Sequence, residues 1–85
     1  MLNYYPDGYG IYPNPATSST QINFTKAAKK LRIYTATGIL ISEYELTESD
    51  RQKTLDIENF AKGIYLVELL YRDNNTQVEK LAVMD

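Results

Sequence analysis

Short runs of alternating apolar and polar side chains recur along this chain, each bounded by turn-forming residues. Ile22 and Phe24 alternate with Gln21, Asn23 and Thr25, and Leu31 and Ile33 alternate with Lys30, Arg32 and Tyr34. Successive side chains of a strand point to opposite faces, so a period of two builds strands with one wet face. From Ile11 onward the runs return about every 8–12 residues, the spacing of sandwiches and barrels. No stretch carries a helical period for longer than one turn.

The later strands follow the same logic. Gly38 marks a tight hairpin turn with glycine in a left-handed conformation, and Ile39-Leu40-Ile41 opens a strand that runs towards Leu46. Both of its alternating sets contain apolar residues, so its facing stays open. Residues 47–53 are polar throughout and read as a surface connection. Leu55 and Ile57 alternate as a short strand, and Glu58 to Lys62 reads as one helical turn ended by Gly63. Ile64 to Tyr71 is the strongest strand. It is apolar on both faces apart from Glu68, which predicts a central strand covered on each side. Asp73-Asn74-Asn75 reads as a turn because Asn and Asp tolerate positive φ. Val78 to Met84 is the last strand.

An antiparallel two-sheet sandwich of about seven strands is the simplest all-β architecture that buries one face of each. Phe60-Ala61-Lys62-Gly63-Ile64-Tyr65 places a bend, a glycine and a tyrosine at the start of a late strand, as in the tyrosine corner of immunoglobulin-like sandwiches. The expected core is Ile22, Phe24, Leu31, Ile33, Leu55, Ile57, Tyr65, Val67, Leu69, Leu81 and Val83. With 85 residues there is room for one domain. Residues 1–10 are Tyr- and Gly-rich with a Pro6-Asp7-Gly8 turn signal, and read as a linker or leader. The domain itself is expected over residues 11–85.

The chemistry of the chain is narrow. It holds no cysteine and no histidine, which removes disulfides, thiolate nucleophiles, imidazole bases and the usual zinc ligands. Its net charge of −2 has both signs scattered, so the basic stripe of a nucleic-acid binder is missing. A membrane-spanning helix needs about 20 apolar residues, and the longest apolar run, Ile64 to Tyr71, is broken by Glu68. No basic segment followed by an apolar stretch opens the chain, so no signal peptide is expected. If the domain is exported, it travels as part of a longer precursor.

Candidate constellations resolve into ordinary surface. Thr47-Glu48-Ser49-Asp50-Arg51 lacks the oxygen spacing of a calcium loop, and Glu43 and Glu45 read as the wet face of a strand. Thr17-Ser18-Ser19-Thr20 has no histidine to activate a nucleophile and reads as a polar turn. Gly38 and Gly63 are isolated, so no phosphate-cradling loop is present. Tyr4, Tyr5, Tyr9 and Tyr12 raise the alternative of a carbohydrate platform. No catalytic, cofactor or metal site and no small-molecule substrate is expected. The most specific local feature is Tyr12-Pro13-Asn14-Pro15. Each proline pushes the preceding residue towards extended backbone and lacks an amide donor. The segment reads as a stiff edge protector at the start of the sandwich, which leaves recognition by a partner open.

Three landmarks stand in order: Tyr12-Pro13-Asn14-Pro15, then Lys62-Gly63-Ile64-Tyr65-Leu66-Val67, then Glu79-Lys80-Leu81-Ala82-Val83, with Leu31-Arg32-Ile33-Tyr34 ahead of Gly38. This ordered set resembles the type A C-terminal sorting domain of the type IX (Por) secretion system, over roughly residues 11–84. The resemblance implies an address signal rather than an enzyme. It implies a large N-terminal cargo, recognition at the outer membrane by the type IX translocon, and removal by a sortase-like peptidase upstream of Tyr12. It also implies a final location at the cell surface or in the medium. The sorting motif would comprise Tyr12, Pro13, Asn14, Pro15, Gly63, Ile64, Tyr65, Lys80, Leu81 and Val83. Family members often end in a basic residue, whereas this chain ends Met84-Asp85. The alternative is an immunoglobulin- or fibronectin-like spacer or binding module of an extracellular protein, which would share the sandwich and the tyrosine corner.

Overall fold

The computed structural model describes residues 9–84. Seven strands follow one another: β1 (Tyr9–Tyr12), β2 (Ser19–Phe24), β3 (Ala28–Thr35), β4 (Leu40–Glu45), β5 (Gln52–Asp56), β6 (Gly63–Tyr71) and β7 (Thr76–Val83). They form a three-stranded sheet in the order β1-β2-β5 and a four-stranded sheet in the order β4-β3-β6-β7. Every pairing within the two sheets is antiparallel.

The period of two becomes the core. In the larger sheet Leu31 faces Leu69, Ile33 faces Val67, and Tyr65 faces Leu81 across neighbouring strands. Ile22, Phe24 and Leu55 enter from the smaller sheet. All eleven expected core residues are buried, joined by Tyr9, Ala16, Ala28, Leu46 and Tyr71. Burying a side chain such as Leu69 contributes about 1.5–3 kcal/mol relative to leaving it exposed.

The turns obey their residues. Gly38 closes the β3–β4 hairpin at φ +93°, and its amide donates to the Thr35 carbonyl at 2.9 Å. Nothing lies within 4 Å of where a Cβ would sit, so the backbone angle and not space calls for glycine there. Asn74 takes φ +71° between β6 and β7, and its amide reaches the Tyr71 carbonyl at 3.0 Å. Tyr65 makes the tyrosine corner: its hydroxyl donates to the Ala61 carbonyl at 2.5 Å, and its ring lies 5.1 Å from that of Phe60.

Four local expectations are corrected. Tyr9 and Gly10, expected in the leader, belong to β1, because Tyr9 pairs with Phe24 and inserts its ring into the core. Residues 1–8 lie outside the described residues. Gln52 and Lys53 are strand, not connection, since they pair with Asn23 and Ile22; backbone pairing with β2 outweighs their polar side chains. Glu58 to Lys62 forms a turn and a bend rather than a helical turn. The Glu58 amide is taken by Asp56 Oδ1 at 3.0 Å and the Phe60 amide by the Ile57 carbonyl at 3.0 Å. So short a segment cannot offset the cost of nucleating a helix. Finally, β6 is central within its sheet, between β3 and β7, but only one of its faces is sealed. Tyr65, Val67, Leu69 and Tyr71 are buried, while Ile64 is 45% exposed. Two layers of short strands leave the outer face of β6 shielded only by cross-strand neighbours.

Candidate functional site

The three landmarks, far apart in sequence, meet at one margin of the sandwich. Gly63, Ile64 and Tyr65 at the start of β6 pair with Val83, Ala82 and Leu81 at the end of β7. Along the other side of β7 runs the segment after β1. Asn14 Nδ2 donates to the Lys80 carbonyl at 2.8 Å, and the Ala82 amide donates to Asn14 Oδ1 at 3.0 Å. The Ala16 amide then donates to the Ala82 carbonyl at 2.8 Å, and the Met84 amide donates to the Ala16 carbonyl at 2.8 Å. Ala16 thereby forms a parallel bridge with Val83.

Each side chain reaches this margin for a local reason. The Tyr12–Pro13 and Asn14–Pro15 peptide bonds are cis, and neither proline nitrogen carries a hydrogen to offer β7. The donors come from the Asn14 carboxamide and the Ala16 amide. The strap is anchored from beneath by Thr20, whose buried hydroxyl donates to the Pro13 carbonyl at 2.7 Å. Tyr9 lies just before it, with its hydroxyl donating to the Val67 carbonyl at 2.9 Å. Burial raises the Tyr9 hydroxyl well above the usual tyrosine range, and the charge of Glu79 adds to the rise.

The ten expected motif residues divide by exposure. Tyr65, Leu81 and Val83 are buried, so they shape the margin from inside and present nothing to a partner. Tyr12, Pro13, Asn14, Pro15, Gly63, Ile64 and Lys80 are exposed. Tyr12 is 50% exposed and Met84, beyond the end of β7, 52% exposed. The margin therefore shows an aromatic ring, apolar side chains and one lysine, with no carboxylate among the exposed motif residues.

Sequence reasoning missed Thr20, Ala16 and Tyr9. Thr20, expected with Ser19 in a polar turn, lies in β2 and continues the inward alternation of Ile22 and Phe24, a signal its polar neighbours hid. Tyr9 and Ile11 share a face of β1, a signal masked by the Tyr/Gly-rich leader. Ala16 carries no signal of its own.

Elsewhere the polar groups are occupied with one another. Glu43 accepts from Arg32 Nε at 2.7 Å, and Arg32 also reaches Glu68 at 3.2 Å. The Arg32 hydrogen bond holds the Glu43 carboxyl below the usual carboxylate range. Asp50 Oδ2 accepts the Thr47 amide at 2.7 Å, and this bond lowers its carboxyl likewise. Among the described residues no three Asp or Glu side chains gather as metal ligands would. Tyr9, one of the four tyrosines of the suggested carbohydrate platform, is core; Tyr4 and Tyr5 lie outside the described residues.

The strand order, the tyrosine corner and the strap along the last strand define an immunoglobulin-like β-sandwich with a closed C-terminal edge. This chain belongs to the family of secretion system C-terminal sorting domains, which it matches over residues 10–84. It is 31% identical over 75 residues to an ulvan lyase of Nonlabens ulvanivorans, an alignment that covers 87% of this chain and 14% of the lyase. Among solved structures it resembles PorZ, a bacterial surface component of the type IX secretion system of Porphyromonas gingivalis. The TM-score is 0.78 at 21% identity, covering 93% of this chain and 12% of that one. CopC from Methylosinus trichosporium shares the fold with a TM-score of 0.52 at 20% identity, covering 87% of this chain and 86% of that one. The chain thus spans about one-seventh of the lyase and about one-eighth of the PorZ chain. It is a type IX sorting signal, and such a domain sends the larger protein that carries it to the cell surface or beyond.

Proposed function

We propose that the type IX machinery reads this domain at the margin where Tyr12–Pro15, Gly63–Ile64 and Lys80 lie together. The reader is the outer-membrane translocon. The cargo is joined N-terminal to the sandwich, and a sortase-like peptidase cuts upstream of it, ahead of β1, which begins at Tyr9. The sandwich from Tyr9 onward is then the whole of the signal.

One observation carries this reading. Three stretches that stand about 15 to 50 residues apart in sequence fold into a single surface, tied by the Asn14 carboxamide to Lys80 and Ala82. A signal that serves different cargoes must be complete within its own domain, and this margin is. The exposed Tyr12 ring and Ile64 side chain offer apolar area, and Lys80 offers a charge, in a fixed arrangement.

The test is a reporter with a signal peptide, fused ahead of this chain in a host that has the type IX system. Tyr12→Ala, Ile64→Ser and Lys80→Ala, combined in a domain that stays folded by circular dichroism, should leave the reporter in the periplasm. Deleting residues 80–85 should do the same, but it also removes Leu81 and Val83 from the core, so the triple variant is the sharper probe. Normal export of the folded triple variant would rule this margin out.

A further inference from the structure

We infer that Asn14 is a positioning residue: its carboxamide stands in for a strand backbone, closes the edge of β7 and leaves only side chains there for a partner to read. The inference rests on the margin proposed above as the recognised surface.

The geometry is that of a peptide group supplied by a side chain. Along the C-terminal part of the outward edge of β7 the backbone groups run Lys80 C=O, Ala82 N–H, Ala82 C=O and Met84 N–H. Asn14 satisfies the first two and Ala16 the second two. A strand with proline at positions 13 and 15 lacks backbone donors at those positions, so the donor to Lys80 is a side-chain one. The two bonds also fix the amide orientation, because only one assignment of Nδ2 and Oδ1 satisfies both. Aspartate would set a carboxylate oxygen against the Lys80 carbonyl, and serine is too short to span both groups.

The role follows from where these bonds lie. Both are solvent-exposed, so water would satisfy Lys80 and Ala82 if the clamp were lost, and the core beneath would stay sealed. What changes is the edge. An unpaired strand edge is a template for an added strand, and the Asn14–Ala16 segment occupies that template from Lys80 to Met84. Recognition by strand addition there is blocked. Tyr12, Ile64, Lys80 and Met84 remain as side chains on a backbone held in one register.

The experiment compares Asn14→Ala and Asn14→Asp with Val67→Ala, a core substitution that leaves the clamp in place. Amide hydrogen exchange is followed by NMR in the 85-residue chain, and export is followed in the reporter fusion. Loss of the clamp should speed exchange at Ala82 and Met84 by about tenfold or more, with the Val67 and Leu69 amides unchanged. Export of both Asn14 variants should fall severalfold, although Val67→Ala, the least stable of the three, exports better than either. Unchanged exchange at Ala82 in Asn14→Ala would overturn the clamp. Export that simply tracks global stability would reduce Asn14 to a structural role, and a rise in export would mean that the open edge is what is read. If the folded Tyr12, Ile64 and Lys80 triple variant exports normally while the Asn14 variants do not, the margin fails as a contact surface and the clamp survives.

Discussion

The sandwich has two lateral margins, and they manage the same hazard in different ways. On one side β1 and β7 end their sheets. There the edge of β7 is covered atom by atom, with Asn14 and Ala16 filling its hydrogen bonds from Lys80 to Met84. On the other side β4 and β5 end their sheets, and no strand lies beyond them among the described residues. The β4 edge is blunted instead by a shift of register at Ile33/Tyr34 and by the charges of Glu43 and Glu45. Lys53 of β5 sits 4.7 Å from the Tyr44 ring centroid and links the two strands. Bulges and charges discourage edge pairing with almost any side chain of the right kind. A hydrogen-bonded cover works with one. The margin that specifies individual atoms is the one where Tyr12–Pro15, Gly63–Tyr65 and Lys80–Val83 meet.

The largest contrast should come from truncating a leucine on each side. Leu81 in β7 is wholly buried and Leu40 in β4 is 48% exposed. Leu81→Ala should cost about 2–5 kcal/mol through lost burial and a residual cavity. Leu40→Ala should stay within about 0.5 kcal/mol. Urea unfolding of the two variants measures both, and equal costs would erase the distinction between the margins.

A smaller effect tests the anchor of the strap. Thr20→Val keeps the shape of the side chain and removes the hydroxyl that donates to the Pro13 carbonyl. The expected loss is about 1 kcal/mol, the net worth of one such bond. Removing the Thr35 hydroxyl from the hairpin that leads into β4, as Thr35→Val, breaks a bond to the Ile39 amide that is exposed. That change should cost less than Thr20→Val in the same unfolding assay. The reverse order would place the better-anchored segment on the wrong side.

The smallest effects are complete at neutral pH and are lost at the extremes of pH, in acid for one margin and in alkali for the other. Folding lowers the Glu43 carboxyl, chiefly through the Arg32 hydrogen bond. The stability this contributes is complete above the ordinary carboxylate range and is lost as pH falls through and below it. Folding raises the Tyr9 hydroxyl, chiefly through burial. That contribution is complete below the unfolded tyrosine value of about 10 and is lost as pH climbs past it. Unfolding midpoints measured against pH should show Glu43→Gln flattening the acid limb and Tyr9→Phe flattening the alkaline limb. If either substitution acts on the opposite limb, the electrostatic assignment of the two sides is wrong.

Much of the fold was legible because strand periodicity is a local property. Ile22, Phe24, Leu31, Ile33, Val67 and Leu69 each announce their facing through their immediate neighbours, and all are buried. The turn at Asn74 and the tyrosine corner at Tyr65 are likewise written in a few adjacent residues. The misreadings fall where local composition and pairing disagree. Gln52 and Lys53 look like loop until β2 supplies a partner, and Tyr9 looks like leader until the core supplies a cavity for its ring. The facing of Leu40 and Ile41 stays open in the sequence and both sit exposed on an edge, because nothing in an apolar run says which strand will be last in its sheet.

The candidate site divides along the same line. The sequence by itself determined that Tyr12–Pro15 is stiff and short of donors, that Gly63 precedes a strand, and that Leu81 and Val83 point one way while Lys80 points the other. These follow from proline chemistry, glycine backbone freedom and the period of two, all of which act over a few residues. Only the tertiary structure decided that the three stretches share one margin and that a single carboxamide joins two of them. Asn14 and Ala82 are 68 positions apart. No short-range preference relates residues at that separation; they meet because two sheets pack on one core and bring the first crossing of the chain against its last strand.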